Sequence, residues 1–309
     1  MTNENSGQSR AGNFIAGITL IVAAAFTISV QDVVFKFFSS ELTLWQIFTL
    51  RGMLAVPMLL GLLWIRGQHK GVVRTALSKW PLLRALFITT TFLAFYSAIP
   101  FLSLATVGAA NYMAPIFVAL LSAYAIREPV SRLGWLGVIL GFSGVVVLLQ
   151  PGTDAFSLWS ILPIIGAGFY ALAHITTRAK CHDTPLSALS LSQNLIMMSA
   201  GAIVSLALFA YMPQGEFSDK FPYLFGVWSA ADLKDWLVLG LLAVFSIVIS
   251  LLLAGAYQSS PPATISTFEY SYLVFVAIWD TVFFGIDLTL TSLTGMVMIV
   301  VAGLMVLKR

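Results

Sequence analysis

Apolar residues in this chain come in blocks of about twenty separated by short polar turns, and no other feature restricts its fold as strongly. A helix rises about 1.5 Å per residue, so about twenty residues cross the ~30 Å hydrocarbon core of a bilayer. Only a helix satisfies every backbone N–H and C=O within such a block. A transmembrane barrel would instead alternate polar and apolar residues over segments of about ten. Charged residues are 9% of the 309, against 59% hydrophobic ones. A soluble domain needs roughly a quarter charged residues to solvate its surface. The chain is therefore read as an all-α integral membrane protein. Ten spans are predicted, over 13–38, 43–65, 81–100, 105–126, 133–150, 157–177, 185–210, 234–257, 261–284 and 290–307.

Residues 1–12 form a polar tail whose only cation is Arg10, and the block after it is too long for the apolar core of a signal peptide, so it is read as a retained first helix. Orientation follows from Lys and Arg. With the N-terminus in the cytoplasm, the inner segments collect Arg10, Arg66, Lys70, Arg74, Lys79, Arg84, Arg127, Arg132, Arg178, Lys180, Lys308 and Arg309. The outer segments hold Glu41, Asp154, Glu216, Asp219, Asp232, Asp235 and Asp287, against Lys36, Lys220 and Lys234. Both termini are expected in the cytoplasm, and the location expected is a bacterial inner membrane. The one long connection, Tyr211 to Leu233, reads equally as an interfacial segment or a plain loop.

The net charge of +3 is spread between apolar blocks rather than gathered on a soluble face, which argues against nucleic acid as a partner. Cys181 is the single cysteine, so neither an intramolecular disulfide nor a thiolate cluster can form. His69, His174 and His182 are scattered, so no metal and no cofactor is expected. The partners expected are the lipid bilayer and a small-molecule substrate; the sequence leaves monomer or homodimer open.

An internal repeat divides the chain at Pro151-Gly152 into a polar tail, a first half 13–150 and a second half 151–309. A shift of 158 residues sets Ala105-Thr106 on Ala263-Thr264, Asn111-Tyr112 on Glu269-Tyr270, and Gly137 on Gly295. Shifts of 142 and 147 set Asp32 on His174, Lys36 on Arg178, and Leu44 and Gln46 on Leu191 and Gln193. Five spans per half is odd, so the halves would insert with opposite orientation. That inverted repeat is the architecture of many secondary transporters, whose substrate sites lie near midplane.

The stretch from Ala105-Thr106 through Asn111-Tyr112 and Pro115, the turn Arg127-Glu128-Pro129-Val130-Ser131, the glycines from Gly134 to Gly144, and Phe268-Glu269-Tyr270 together resemble the drug/metabolite transporter superfamily, in its ten-helix members built from two EamA-type repeats. The chain has Gly285-Ile286-Asp287 where many members carry a Gly-Glu pair. The resemblance implies a secondary carrier of small organic metabolites, similar to YddG-type amino acid exporters or to riboflavin and S-adenosylmethionine uptake carriers.

Polar groups at membrane depth are costly, so each is a candidate. Tyr96, Asn111, Tyr112, Tyr170, Tyr257, Phe268, Glu269 and Tyr270 fall inside spans and are the candidate substrate-binding set, an aromatic wall with a few convergent polar groups. Asp32, Arg51, His174 and Glu269 are candidates for gating or coupling. Against these stand bland readings. Asp32 and Lys36 pair at i,i+4 and with Arg51 lock two helices, His174 is a packing histidine, and Glu269 is a hydrogen-bonded structural carboxyl. Trp45, Trp64, Trp80, Trp135 and Trp236 read as interfacial anchors, Pro57 and Pro115 as helix interruptions, and Gly137, Gly141 and Gly144 as a close-contact face. The chain carries no His-Glu-x-x-His, Gly-x-Ser-x-Gly or phosphate-cradling motif, so neither an enzyme nor an ATP-driven pump is expected. A single acidic residue suits a channel's selectivity ring poorly. The expected activity is secondary transport by alternating access, with export of amino acids, aromatic or apolar ones included, ahead of vitamin or nucleoside uptake.

Overall fold

The computed structural model describes residues 2–37, 42–99, 101–102, 104–152, 157–211, 221–285 and 288–307. Among these the regular structure is helical: α1 (Thr2–Phe37), α2 (Leu44–Ile65), α3 (His69–Ala76), α4 (Lys79–Ala98), α5 (Leu104–Asn111), α6 (Ala114–Tyr124), α7 (Arg132–Leu149), α8 (Ile161–Lys180), α9 (Leu186–Tyr211), α10 (Pro222–Phe225), α11 (Leu233–Ser259), α12 (Pro262–Glu269), α13 (Ser271–Phe284) and α14 (Leu290–Leu307). Nine stretches among the described residues are long and apolar enough to cross a membrane. They coincide with every predicted span but 261–284. Of the charges used for orientation, Glu41, Asp154, Glu216, Asp219, Lys220, Asp287, Lys308 and Arg309 lie outside the described residues, as do the side chains of Arg10 and Lys36, and with Lys36 the expected Asp32–Lys36 pair.

Local chemistry sets the helix ends. The Thr43 hydroxyl accepts from the Gln46 N–H at 3.3 Å to start α2, and Ser131 does the same for Gly134 at 3.1 Å to start α7. Gly285, at φ 65°, closes α13 in the left-handed conformation that glycine adopts without strain. Two predicted spans are interrupted. The fourth is split into α5 and α6 at Tyr112-Met113, and the ninth into α12 and α13 at Tyr270. Pro115 lacks an N–H, so the Asn111 carbonyl has no i+4 donor, and the Ile116 N–H closes a tighter turn onto the Met113 carbonyl at 3.0 Å. At the second interruption the Leu273 N–H closes the same kind of turn onto the Tyr270 carbonyl at 3.1 Å, while the Ser271 hydroxyl donates to the Phe268 carbonyl at 2.6 Å. Tyr112 and Tyr270 are the residues that the 158-residue shift superposes. Pro57, expected to interrupt the second span, does not: α2 runs unbroken from Leu44 to Ile65. A proline within a helix removes one hydrogen bond, and neighbouring turns in an apolar span hold the rest.

The chain forms two compact units that do not follow the sequence halves. One comprises Met1–Ser29, Thr90–Asp183 and Leu252–Arg309; the other comprises Val30–Thr89 and Thr184–Leu251. In the first unit α7 lies against α14 at backbone contact. A Cβ on Gly144 would come within 2.8 Å of the Gly295 carbonyl oxygen, and a Cβ on Gly295 within 2.7 Å of the Gly144 carbonyl oxygen. Gly137 meets Ala302 and Val306 in the same seam. The expected glycine face thus serves packing within the subunit, where small residues let backbones approach.

In the second unit α2 packs on α9 through Gly52 and Gly201. Trp45, expected at an interface, is buried and donates its indole N–H to the Leu224 carbonyl of α10 at 2.7 Å. The neighbouring Gln46 carboxamide donates to the Ser229 carbonyl at 2.7 Å and accepts from the Ser229 N–H at 3.2 Å. The described part of the long connection is thereby tied to the start of α2. A polar seam runs through this unit. Arg84, fully buried on α4, donates to Gln193 Oε1 of α9 at 3.2 Å, Ser246 donates to Asn194 Oδ1 at 2.7 Å, and the Ser190 and Ser250 hydroxyls lie 2.5 Å apart.

Candidate functional site

The first unit gathers four of the candidate side chains from three helices. Tyr170 and His174 lie one turn apart on α8, Tyr257 is near the end of α11, and Glu269 is the last residue of α12. The Tyr170 hydroxyl donates to Glu269 Oε1 at 2.8 Å and the Tyr257 hydroxyl donates to the same oxygen at 2.7 Å. Among the described residues no hydrogen bond reaches Oε2. Glu269 itself is half-buried, whereas Tyr257 and His174 are fully buried. The His174 ring sits between the two phenols, 4.2 Å from the Tyr170 centroid and 4.0 Å from that of Tyr257, nearly parallel to the latter at 25°.

The carboxylate stands where the ninth span is interrupted, and the next residue links the two interruptions. Tyr270 is fully buried, packed with Val145, Leu273 and Ile299. Its hydroxyl donates to the Tyr112 carbonyl at 3.4 Å, and the two rings lie 6.1 Å apart. Tyr112 also stacks on Tyr272. Room for Tyr270 comes from Gly141, since a Cβ on Gly141 would collide with the Tyr270 ring. The glycine of α7 thus serves the site as well as the helix seam.

A second constellation fixes the nearby ends of α8 and α11. Arg178, one turn beyond His174, pairs its Nε with Glu128 Oε1 at 2.8 Å and donates from Nη1 to the Gln258 carbonyl at 2.7 Å. The Gln258 side chain donates to the Cys181 carbonyl at 2.5 Å. Because Gln258 follows Tyr257 directly, this clasp sets the register of the two helices that supply both phenols. In sequence Arg127 to Ser131 resemble only a family turn, and the pairing of Glu128 with Arg178 carries no short-range signal.

The other candidates are placed as follows. Asn111 ends α5, half-buried, directly before Tyr112. Tyr96 stacks on Phe92 and meets Phe95 edge-on within α4. Phe268 turns to α14, where it faces Gly303 and lines a 260 Å³ apolar cavity with Thr267, Ser271 and Val274. Asp32 and Arg51 belong to the second unit; the Arg51 Nη2 lies 2.9 Å from the Met197 sulfur and its guanidinium 5.4 Å from the Phe48 centroid. Arg84 and Gln193 were not among the candidates, although Arg84 lies inside the predicted third span, a position that marks a buried cation.

A half-buried carboxylate with one oxygen engaged by two phenols presents its other oxygen to a donor such as an ammonium group, and aromatic walls suit an amphipathic organic solute.

Comparisons with known proteins agree with a transporter. The pseudopaline exporter CntI of Pseudomonas aeruginosa is 24% identical over 294 residues, covering 93% of this chain and 94% of that protein. A riboflavin transporter of Vibrio cholerae is 33% identical over 72 residues, 23% of this chain and 24% of that protein. A solved crystal structure shares the fold with a TM-score of 0.74 at 15% identity, covering 96% of this chain and 97% of the other. Residues 15–150 match the model of the EamA-like transporter family, and this match and the relatives named as transporters support membership of the drug/metabolite transporter superfamily.

Proposed function

We propose that this protein is a secondary carrier that exports amino acids, aromatic or apolar ones included, across a bacterial inner membrane by alternating access. In this reading ten spans form two inverted five-helix repeats, and both termini are cytoplasmic. The observation that carries it is the Glu269 carboxylate held through one oxygen by Tyr170 and Tyr257 beside His174, at an interrupted span. A substrate ammonium would dock on Glu269, with the half-buried Tyr112, at the other interruption, supplying an aromatic wall that the buried Tyr270 backs. Interrupted spans supply backbone groups to substrates in many carriers. Export is supported by the near-complete coverage of a relative named as an exporter. Uptake of a vitamin-like solute is the second reading, supported by the shorter match to a riboflavin transporter.

Glu269→Gln tests the site. The glutamine oxygen still accepts from both phenols, so the protein folds, while the charge and the exchangeable proton are lost. A charge-assisted bond exceeds a neutral one by about 1–2 kcal/mol, which predicts amino acid efflux from liposomes reduced roughly 5- to 30-fold. Efflux at the unaltered rate with and without a pH gradient would remove Glu269 from the mechanism. Movement of riboflavin but no amino acid would select the second reading.

A further inference from the structure

The short helix α3, His69–Ala76, takes no part in this site. Half of its residues, Gly71, Val72, Val73 and Thr75, are poor helix formers, and eight residues are too few to hold a helix alone. Something must hold it on each face. On the inner face Val72 and Ala76, one turn apart, are buried against Leu59 and Leu63 of α2 and Ala188 and Leu191 of α9. On the outer face Lys70 and Arg74, also one turn apart, are exposed, and Arg66 and Lys79 flank them. Like charges at that spacing repel one another. No Asp or Glu occurs between Glu41 and Glu128, and among the described residues neither Lys70 nor Arg74 forms an ion pair.

Large apolar side chains stand exposed beside these cations: Trp64 at 71%, Ile65 at 78% and Leu77 at 55%. The Lys79 ammonium lies 5.0 Å from the Trp80 centroid. A soluble acidic partner would neutralise the cations and leave the apolar groups in water. A membrane interface takes both, with apolar bodies at the acyl boundary and cationic tips among phosphates.

We propose that α3 and its flanks form a binding surface for anionic phospholipid headgroups. Lys70 and Arg74 hold the phosphates, and Trp64, Ile65 and Leu77 seat the surface in the interface. The bound headgroup relieves the Lys70–Arg74 repulsion and clamps α3 onto α2 and α9, so anionic lipid stabilises the folded protein. Each basic residue near an anionic surface strengthens attachment about fivefold.

The test uses the full-length protein in neutral detergent, titrated with phosphatidylglycerol, phosphatidylcholine or inorganic phosphate, with the thermal midpoint as the readout. Phosphatidylglycerol is expected to raise the midpoint and the other two to leave it unchanged. Lys70→Gln with Arg74→Gln is expected to raise the half-effective phosphatidylglycerol concentration roughly 25-fold, and Lys70→Arg with Arg74→Lys to keep it near the original. An equal rise with phosphatidylcholine or with phosphate, or an unchanged response in the glutamine pair, overturns the proposal. Should the glutamine pair fail to fold, the unaltered protein decides by salt. Raising ionic strength from about 0.05 to about 0.5 M must weaken the phosphatidylglycerol effect, and a salt-independent effect refutes it.

Discussion

Replacing Gly141 by alanine isolates the packing that seats Tyr270 beside Glu269. In an unobstructed helix interior, Gly→Ala stabilises by roughly 0.5–1 kcal/mol, because glycine loses more backbone entropy on folding. Gly61 in α2 and Gly240 in α11 are such positions, with no atom within 4 Å of an added Cβ. At Gly141 the added methyl meets the ring of Tyr270 instead, and that ring is fully buried among Val145, Leu273 and Ile299. Overpacking of this kind costs about 1–3 kcal/mol. Moving the ring also strains the 3.4 Å hydrogen bond to the Tyr112 carbonyl, worth about 1 kcal/mol. After the propensity gain is subtracted, Gly141→Ala should destabilise by about 1–3 kcal/mol, while Gly61→Ala and Gly240→Ala stabilise slightly. Thermal unfolding of the three purified variants reads the difference in sign directly. If Gly141→Ala melts at or above the parent protein, Tyr270 is not held as described, and the link between the two interruptions fails with it.

Two further substitutions probe separate features. Tyr170→Phe and Tyr257→Phe each remove one donor from Glu269 Oε1, and each should lower amino acid efflux about 5-fold; because both serve one oxygen, the double variant should depart from additivity, and strictly additive losses would count against a shared site. Gln193→Leu withdraws an acceptor from the buried Arg84 guanidinium and should destabilise by about 1–3 kcal/mol in thermal unfolding; parent-like stability would show that this bond holds nothing.

The relation between sequence and structure differs from element to element. Span positions were readable because hydropathy over about twenty residues reports a solvent requirement that applies to each segment alone. The 158-residue offset is legible too, and it superposes Asn111-Tyr112 on Glu269-Tyr270, the places where the two spans are interrupted. Pro57 and Pro115 looked alike as prolines. Only Pro115 accompanies a break, because there the tighter turn leaves the Tyr112 carbonyl to be met by Tyr270 from a distant helix.

Alone, the sequence determined that the chain is a bundle of membrane helices and which polar residues lie at depth, since each follows from the cost of exposing polar groups to hydrocarbon. Tertiary structure decided which of those residues meet. Tyr170, Tyr257 and Glu269 converge on one oxygen although 99 residues separate the first from the last, and Phe268, their chain neighbour, turns to a different helix. A helix advances about 100° per residue, so adjacent side chains face different surroundings, and which surroundings those are depends on how distant segments pack. The same holds for Arg84, whose burial against Gln193 makes an inner-segment charge part of the core. Hydropathy assigns a depth to each residue, and packing alone assigns it a neighbour.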